Sequence, residues 1–415
     1  ERLATDQEVL GSNPSRRTTA MMKNTKLHFF IIIFFSIILR ILSIEYFGDT
    51  KIDNEWKIIL FNLENNSLLG YRQVQDQIFP NIFMPPLYPF FLYLIKILNP
   101  FDIFYLKIIL YIQMITSLLA IIYLRKILLN FFTKNVSNIG ILIFSLFPLF
   151  IYGNTQISSI SLQVFLIVFY FYYLFRIILK NKFKYLIYFS ISSGLLMLLR
   201  GEFFIIFLLT LIFIYIVNKN FKHIIVLFFA TLILISPYLI RNYYIFEKIT
   251  ITKSVGFNLW KGNNLYSLPE GSEKIYDKNM DLKIKTITLD KKYDYNIDEI
   301  YKSEAIKNIK AEPTRYLILY FKKLFAFMFI DFESTYPNYY NLLHIIPKIS
   351  ISIASFISLI FLVREKNILN YFSLFYLFNI CLFSVFFILP RYSLALLPVQ
   401  IILICFLIKK LKISI

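Results

Sequence analysis

The chain has little of what most soluble enzymes work with. Only two cysteines occur in 415 residues, Cys381 and Cys405, and both fall in apolar runs, so no disulfide framework or thiolate metal site is expected. The three histidines, His28, His223 and His344, lie too far apart to form a metal-spacing motif, and no metal or other cofactor is expected. Walker, GxSxG and HExxH patterns are absent, which leaves ATP-driven, serine-hydrolase and zincin readings without support. Acidic side chains are scarce, 25 against 44 lysines and arginines, for a net charge of +19. The basic residues scatter at the ends of apolar runs and form no stripe, so no nucleic-acid partner is expected.

What the chain has is hydrocarbon. Hydrophobic residues make up 58% of it, aromatics 19%, and the mean hydropathy is +0.64. Apolar runs of bilayer length recur, which predicts an all-α polytopic membrane protein of about ten spans. The clear runs are 27–44, 104–124, 137–153, 157–179, 185–199, 202–218, 223–239, 347–363, 368–389 and 392–408. Residues 1–21 differ in composition from everything after them. They read as a translated stretch of a bacterial tRNA gene or a disordered tail, with the start expected at Met21 or Met22.

Charge arbitrates the topology. With the N-terminus inside, the connections holding Arg125/Lys126/Lys134, Lys180/Lys182/Lys184, Lys219/Lys222, Arg364/Lys366 and Lys409/Lys410/Lys412 are all cytoplasmic, provided the apolar stretch 86–99 does not cross. Pro85, Pro86 and Pro89 predict a short, bent, re-entrant or interfacial helix there. Segment 314–330, with Lys322 and Lys323 at its centre, is expected to lie at the interface. Of the 25 acidic residues, 21 then face outward. Three modules follow: 22–239, with a first outer loop at 45–103; an outer region at 240–346; and C-terminal helices at 347–415.

Two outer stretches are rich in groups that do chemistry. Asp49, Asp53, Glu55 and Trp56 fall within eight residues just after the first span. Trp56, Ile59, Leu60, Leu63 and Leu68 recur at helical spacing, which predicts a helix lying on the membrane. A carboxylate held at its start is partly desolvated and so more basic, unless it belongs to an ordinary solvated loop. The second stretch, Arg241 to Glu312, opens with SPYLIRNYYIFEKITITKSVGFNLWKGNN. Arg200, Arg241 and Arg391 sit at outer span ends against the inside bias, as phosphate-gripping guanidiniums or as snorkelling anchors. Asn263 and Asn264 either bond sugar hydroxyls or close a turn, and Trp260 is expected to anchor at the interface.

In order along the chain, the acidic loop, PPLYPFFLYL, LLRGE, SPYLIRNYY…GFNLWKGNN and LPRYSLALLP resemble the bacterial family 39 glycosyltransferases. These are GT-C-fold membrane enzymes related to protein O-mannosyltransferases and aminoarabinose transferases. The resemblance implies an inverting transferase in the bacterial inner membrane, with its site facing the periplasm. It would move a sugar from a polyprenyl-phosphate donor to a lipid, glycan or protein hydroxyl. It also implies an aspartate base in the first outer loop. Asp53 fits the family spacing to Trp56 and Asn62-Leu63 within about one residue, and Asp49 is the alternative. The substrate-binding set becomes Glu55, Tyr88, Arg200, Arg241, Asn242, Asn263, Asn264, Arg391 and Tyr392. One departure stands out. Relatives often carry an acidic residue in the outer turn between the third and fourth spans, but here that turn, Tyr152 to Ser161, reads YGNTQISSIS with none. Competing readings are a transporter or flippase, which would place ionisable residues deep in its spans, and a polymerase or ligase of lipid-linked glycans.

Overall fold

A computed structural model describes residues 16–53, 55–75, 77–99, 104–270, 277–334, 341–365 and 368–411. Residues 1–15 of the N-terminal extension lie outside them. Where the chain is apolar it is helical, because backbone polar groups in hydrocarbon can be satisfied only within the segment itself. In chain order the elements are α1 (Arg16–Phe47), α2 (Glu55–Asn66), β1 (Gly70–Val74), β2 (Gln77–Pro80), α3 (Leu87–Leu98), α4 (Tyr105–Leu128), α5 (Lys134–Leu146) and α6 (Pro148–Gly153). They continue with α7 (Ile160–Lys180), α8 (Phe183–Leu199), α9 (Phe203–Asn218), α10 (Phe221–Phe246), α11 (Val255–Gly262), α12 (Lys278–Lys285), α13 (Tyr293–Ala311) and α14 (Pro313–Met328). The chain ends with α15 (Leu342–Val363), α16 (Asn370–Val385), a 3₁₀ segment (Pro390–Leu396) and α17 (Leu397–Lys410).

The chain is an all-α polytopic membrane protein. Among the described residues, six stretches are long and apolar enough to cross a bilayer: Leu27–Phe47, Tyr105–Leu128, Ile160–Lys180, Phe221–Phe246, Leu342–Val363 and Pro390–Lys410. Helices α8, α9 and α16 are apolar but shorter. The bundle is built by α4 on α7, α7 on α8 and α8 on α10, with α17 enclosed by α5, α15 and α16. Helix α3 spans only about 18 Å by its twelve residues, too short to cross.

The run expected as one span at 137–153 is broken. Pro148 has no N–H to give and forces Phe147 into an extended conformation at ψ 115°, so α5 stops and α6 starts at a new angle. The break leaves the Ser145 carbonyl without its helical donor. Arg40 Nη1 of α1 donates to it at 3.0 Å and also reaches the Ser36 carbonyl and hydroxyl, while Nε donates to Ser117 Oγ at 2.9 Å. This arginine is buried with hydroxyls and carbonyls for company, its face 5.4 Å from the Phe150 ring.

The stretches expected to face outward form one body. Strands β1 and β2 pair antiparallel, Val74 opposite Gln77 and Gly70 opposite Pro80. Their hairpin is bound to α13 through Asp294, whose buried carboxylate accepts from Arg72 Nε at 2.5 Å and from the Ile82 and Phe83 amides at 3.0 and 3.1 Å. Phe79 packs on Tyr293 with centroids 4.5 Å apart. One turn along, Asp298 accepts from the Gly256 and Phe257 amides at 3.0 and 2.8 Å, closing the free first turn of α11. Trp260, expected as an interface anchor, instead packs against Tyr301, Met280 and Ala305 inside this body.

Lys323, at the centre of the segment expected to lie at the interface, points inward. Its buried ammonium donates to the carbonyls of Gly262 and Phe386 at 3.1 Å and to Asn263 Oδ1 at 3.2 Å. The exposed face of α14 carries Leu317, Ile318, Phe321 and Phe325, with Lys322 among them. Lys323 thus joins α11 to the end of α16, and a glycine permits the close approach. A Cβ on Gly262 would lie 2.5 Å from the Phe386 carbonyl carbon and 2.6 Å from the Phe387 nitrogen. Gly262→Ala is expected to cost about 1–3 kcal/mol by overpacking against backbone. The readout is a lower melting temperature with faster tryptic cleavage between 247 and 312, and a variant matching wild type in both would contradict this packing.

Candidate active site

The end of α1 delivers Asp49 onto the connection between α6 and α7. Its own N–H donates to the Thr155 carbonyl at 2.9 Å, and its carboxylate accepts from the Ile157 amide at 2.6 Å. The turn that lacks an acidic residue in sequence therefore receives one from the first loop. Asp49 is half-buried. Burial raises its pKa above the ordinary aspartate value, the Ile157 hydrogen bond pulls it back, and the nearby charge of Asp53 adds to the rise. Asp53 itself is exposed and pairs with Lys51 at 3.1 Å.

Tyr88 and Tyr152 lie near the Asp49 carboxylate. Trp56, in the first turn of α2, meets Tyr88 of α3 edge to face at 4.9 Å. Glu55 opens α2, where a carboxylate complements the helix N-terminus. Tyr88 is buried, and its hydroxyl donates to Gln113 Oε1 of α4 at 2.8 Å. Tyr152, at the end of α6, is substantially exposed and faces His344 of α15 at 6.3 Å between centroids.

Two of the three singled-out arginines lie near one aromatic ring. Arg200 follows α8, and its Nε donates to Gln163 Oε1 on α7 at 3.2 Å. Its guanidinium lies 5.7 Å from the Tyr392 ring, while that of Arg391 lies 6.0 Å from the same ring. Tyr392 is thus shared by two cations, an arrangement that concentrates positive charge beside an exposed Arg391. Glu202 does not neutralise Arg200, which makes no ion pair among the described residues. Ile157 precedes α7 by three residues and Gln163 lies within its first turn, so the anchors of Asp49 and Arg200 are at most about 15 Å apart along the backbone.

The remaining residues singled out in sequence are occupied elsewhere. Arg241 donates to the Asn81 carbonyl at 2.8 Å and to Asn242 Oδ1 at 2.7 Å, tying α10 to the end of the hairpin. Asn242 is buried and donates to the Thr250 carbonyl at 2.7 Å. Asn263 bonds the carbonyls of Leu259 and Val385, and Asn264 bonds the Trp260 carbonyl and accepts from the Tyr266 amide. Both close the turn after α11. Among the described residues, no three His, Cys, Asp or Glu side chains converge where a metal ion would sit.

Residues 84–240 match the family model described as dolichyl-phosphate-mannose-protein mannosyltransferase. That match supports a GT-C-type membrane glycosyltransferase. It covers less than half of the chain. Inside it lie Tyr88, Gln113, the 154–159 turn, Gln163 and Arg200; outside it lie Asp49, Asp53 and the Arg391–Tyr392 pair. The search of curated proteins returned no match. Gln113 and Gln163 went unnoticed in sequence, although an amide within YLKIILYIQMITSLLA is itself a signal, since a buried amide is costly unless bonded.

Proposed function

We propose that the protein transfers a sugar from a polyprenyl-phosphate donor to an acceptor hydroxyl at the outer face of the bacterial inner membrane, inverting the anomeric centre, with Asp49 as general base. The observation that carries this reading is the seating of a half-buried carboxylate and of Arg200 at the same end of α7, with Tyr392 and its neighbour Arg391 beside Arg200. Asp49 removes the acceptor proton as its oxygen attacks the anomeric carbon, and the bond to the carrier phosphate breaks. Arg200 and Arg391 meet the charge that the leaving phosphate gains. The body formed by α11–α13 and the hairpin covers the site and excludes water. Spacing favoured Asp53, but an exposed aspartate already paired with Lys51 is poorly placed to hold a reacting hydroxyl.

The test is transfer by the full chain in lipid nanodiscs with a polyprenyl-phosphate sugar, alongside mass spectrometry of surface glycans with and without the gene. Full activity in both Asp49→Asn and Asp53→Asn would remove the base from the first loop. Arg200→Ala and Arg391→Ala are each expected to raise KM for the donor about 10- to 100-fold, the loss of a charged hydrogen bond. Arg241→Ala is expected to lower the melting temperature instead. A donor KM unchanged in both Arg200 and Arg391 variants would place the phosphate elsewhere.

A further inference from the structure

Gln113 is the one polar side chain of α4 that holds the peptide bonds on both sides of Ile157. Its Nε2 donates to the Gln156 carbonyl at 2.9 Å, and its Oε1 accepts from the Ser158 amide at 3.4 Å and from the Tyr88 hydroxyl at 2.8 Å. The side chain is 1% exposed. These bonds set its amide orientation, because the nitrogen side faces a carbonyl and the oxygen side faces two donors. The Ile157 N–H that binds the Asp49 carboxylate belongs to the first of these peptides, at the opposite side of its plane from the Gln156 carbonyl that Gln113 holds. The 154–159 connection has no helix of its own to fix its peptides, so their direction depends on such side-chain bonds.

We propose that Gln113 is a positioning residue for the general base: by gripping residues 156 and 158 it aims the Ile157 N–H, and through it the Asp49 carboxylate, at the acceptor hydroxyl. This rests on the reading of Asp49 as base. A neutral side chain carrying both a donor and an acceptor is required. Glutamate lacks the donor for Gln156 and adds a charge near Asp49, while leucine lacks both groups. Loss of the aimed N–H removes a hydrogen bond that favours the charged carboxylate, so the Asp49 pKa rises in either variant, further in the glutamate. The titratable groups facing Asp49 are Asp53 on its own loop, Tyr88 on α3 and Tyr152 at the end of α6.

The experiment compares kcat, donor KM and the acid limb of the kcat–pH profile in wild type, Gln113→Leu, Gln113→Glu and Asp49→Asn full-length protein in nanodiscs. Both Gln113 variants are expected to lose about tenfold or more in kcat, as misaimed catalytic groups do. Donor KM should stay within about twofold while the acid limb moves up by about one pH unit, more for Glu than for Leu. A kcat loss with an unmoved limb, a loss carried by donor KM, or an unchanged kcat would each overturn the proposal. Should Gln113→Leu fail to accumulate, the isosteric Gln113→Glu decides alone. Full activity in Asp49→Asn would instead defeat the assignment of the base, a result the Gln113 variants do not imitate.

Discussion

Asp49→Asn is expected to lower sugar transfer about 10²- to 10⁴-fold, the range a positioned general base contributes, while Asp53→Asn stays within a few-fold of wild type. The contrast follows from where each carboxylate sits. Asp49 is fixed at both its amide and its carboxylate, to Thr155 and Ile157, whereas Asp53 points to solvent with Lys51. As the proposed base, Asp49 acts only when charged, so the rate is expected to fall as pH drops through its pKa. Because burial raises that pKa, the loss begins at a higher pH than an ordinary aspartate would give. The sign for stability is the reverse. A folded-state pKa above the unfolded value favours the fold below the unfolded pKa, and that contribution fades as pH rises through the folded one. Activity and stability should therefore respond to acid in opposite directions across this window, which kinetics and melting measured on one preparation can check. An acid limb at the ordinary aspartate position would contradict the burial.

Asp294→Ala is expected to be the most damaging change outside the site, at about 3–5 kcal/mol, because it strips three donors of one buried acceptor. Arg72 and the amides of Ile82 and Phe83 all depend on that carboxylate. The hairpin and α13 would separate, while the helices from α4 to α10 keep their packing. Limited proteolysis should then show early cleavage between 247 and 312 with the membrane-embedded fragments intact. Uniform loss of the whole protein would instead mean that the outer body and the bundle fold as one unit.

Six of the ten expected spans were legible, because an apolar run of bilayer length has few other fates, while α8, α9 and α16 form shorter apolar helices. The break at Pro148 was written in the sequence as well, yet hydropathy averages over a single proline, and 137–153 read as one helix. The outer body was not legible as structure. Helix α13, YDYNIDEIYKSEAIKNIKA, is polar nearly all round, and what holds it, Asp294 and Asp298 reaching backbone amides more than forty residues away, has no local signature. For the same reason the choice between Asp49 and Asp53 was open. The two lie four residues apart on one loop, and only the tertiary meeting with residues 155–157 separates them. Arg200 and Arg391, nearly two hundred residues apart, shared only their position at span ends; in the fold both guanidiniums lie near the Tyr392 ring.

Arg40 imposes an order on biogenesis. An arginine near the middle of a membrane helix costs about 2.5–3.5 kcal/mol to insert. Its partners Ser117 and Ser145 are made 77 and 105 residues later. At ribosomal speeds of about 5–20 residues per second, the guanidinium waits roughly 4–20 s for them. Through that interval only Ser36, one turn back on the same helix, shares its charge. The hold of α1 on the bilayer then rests on the 21 residues from Leu27 to Phe47, whose mean hydropathy of 2.5 is the highest among the candidate spans.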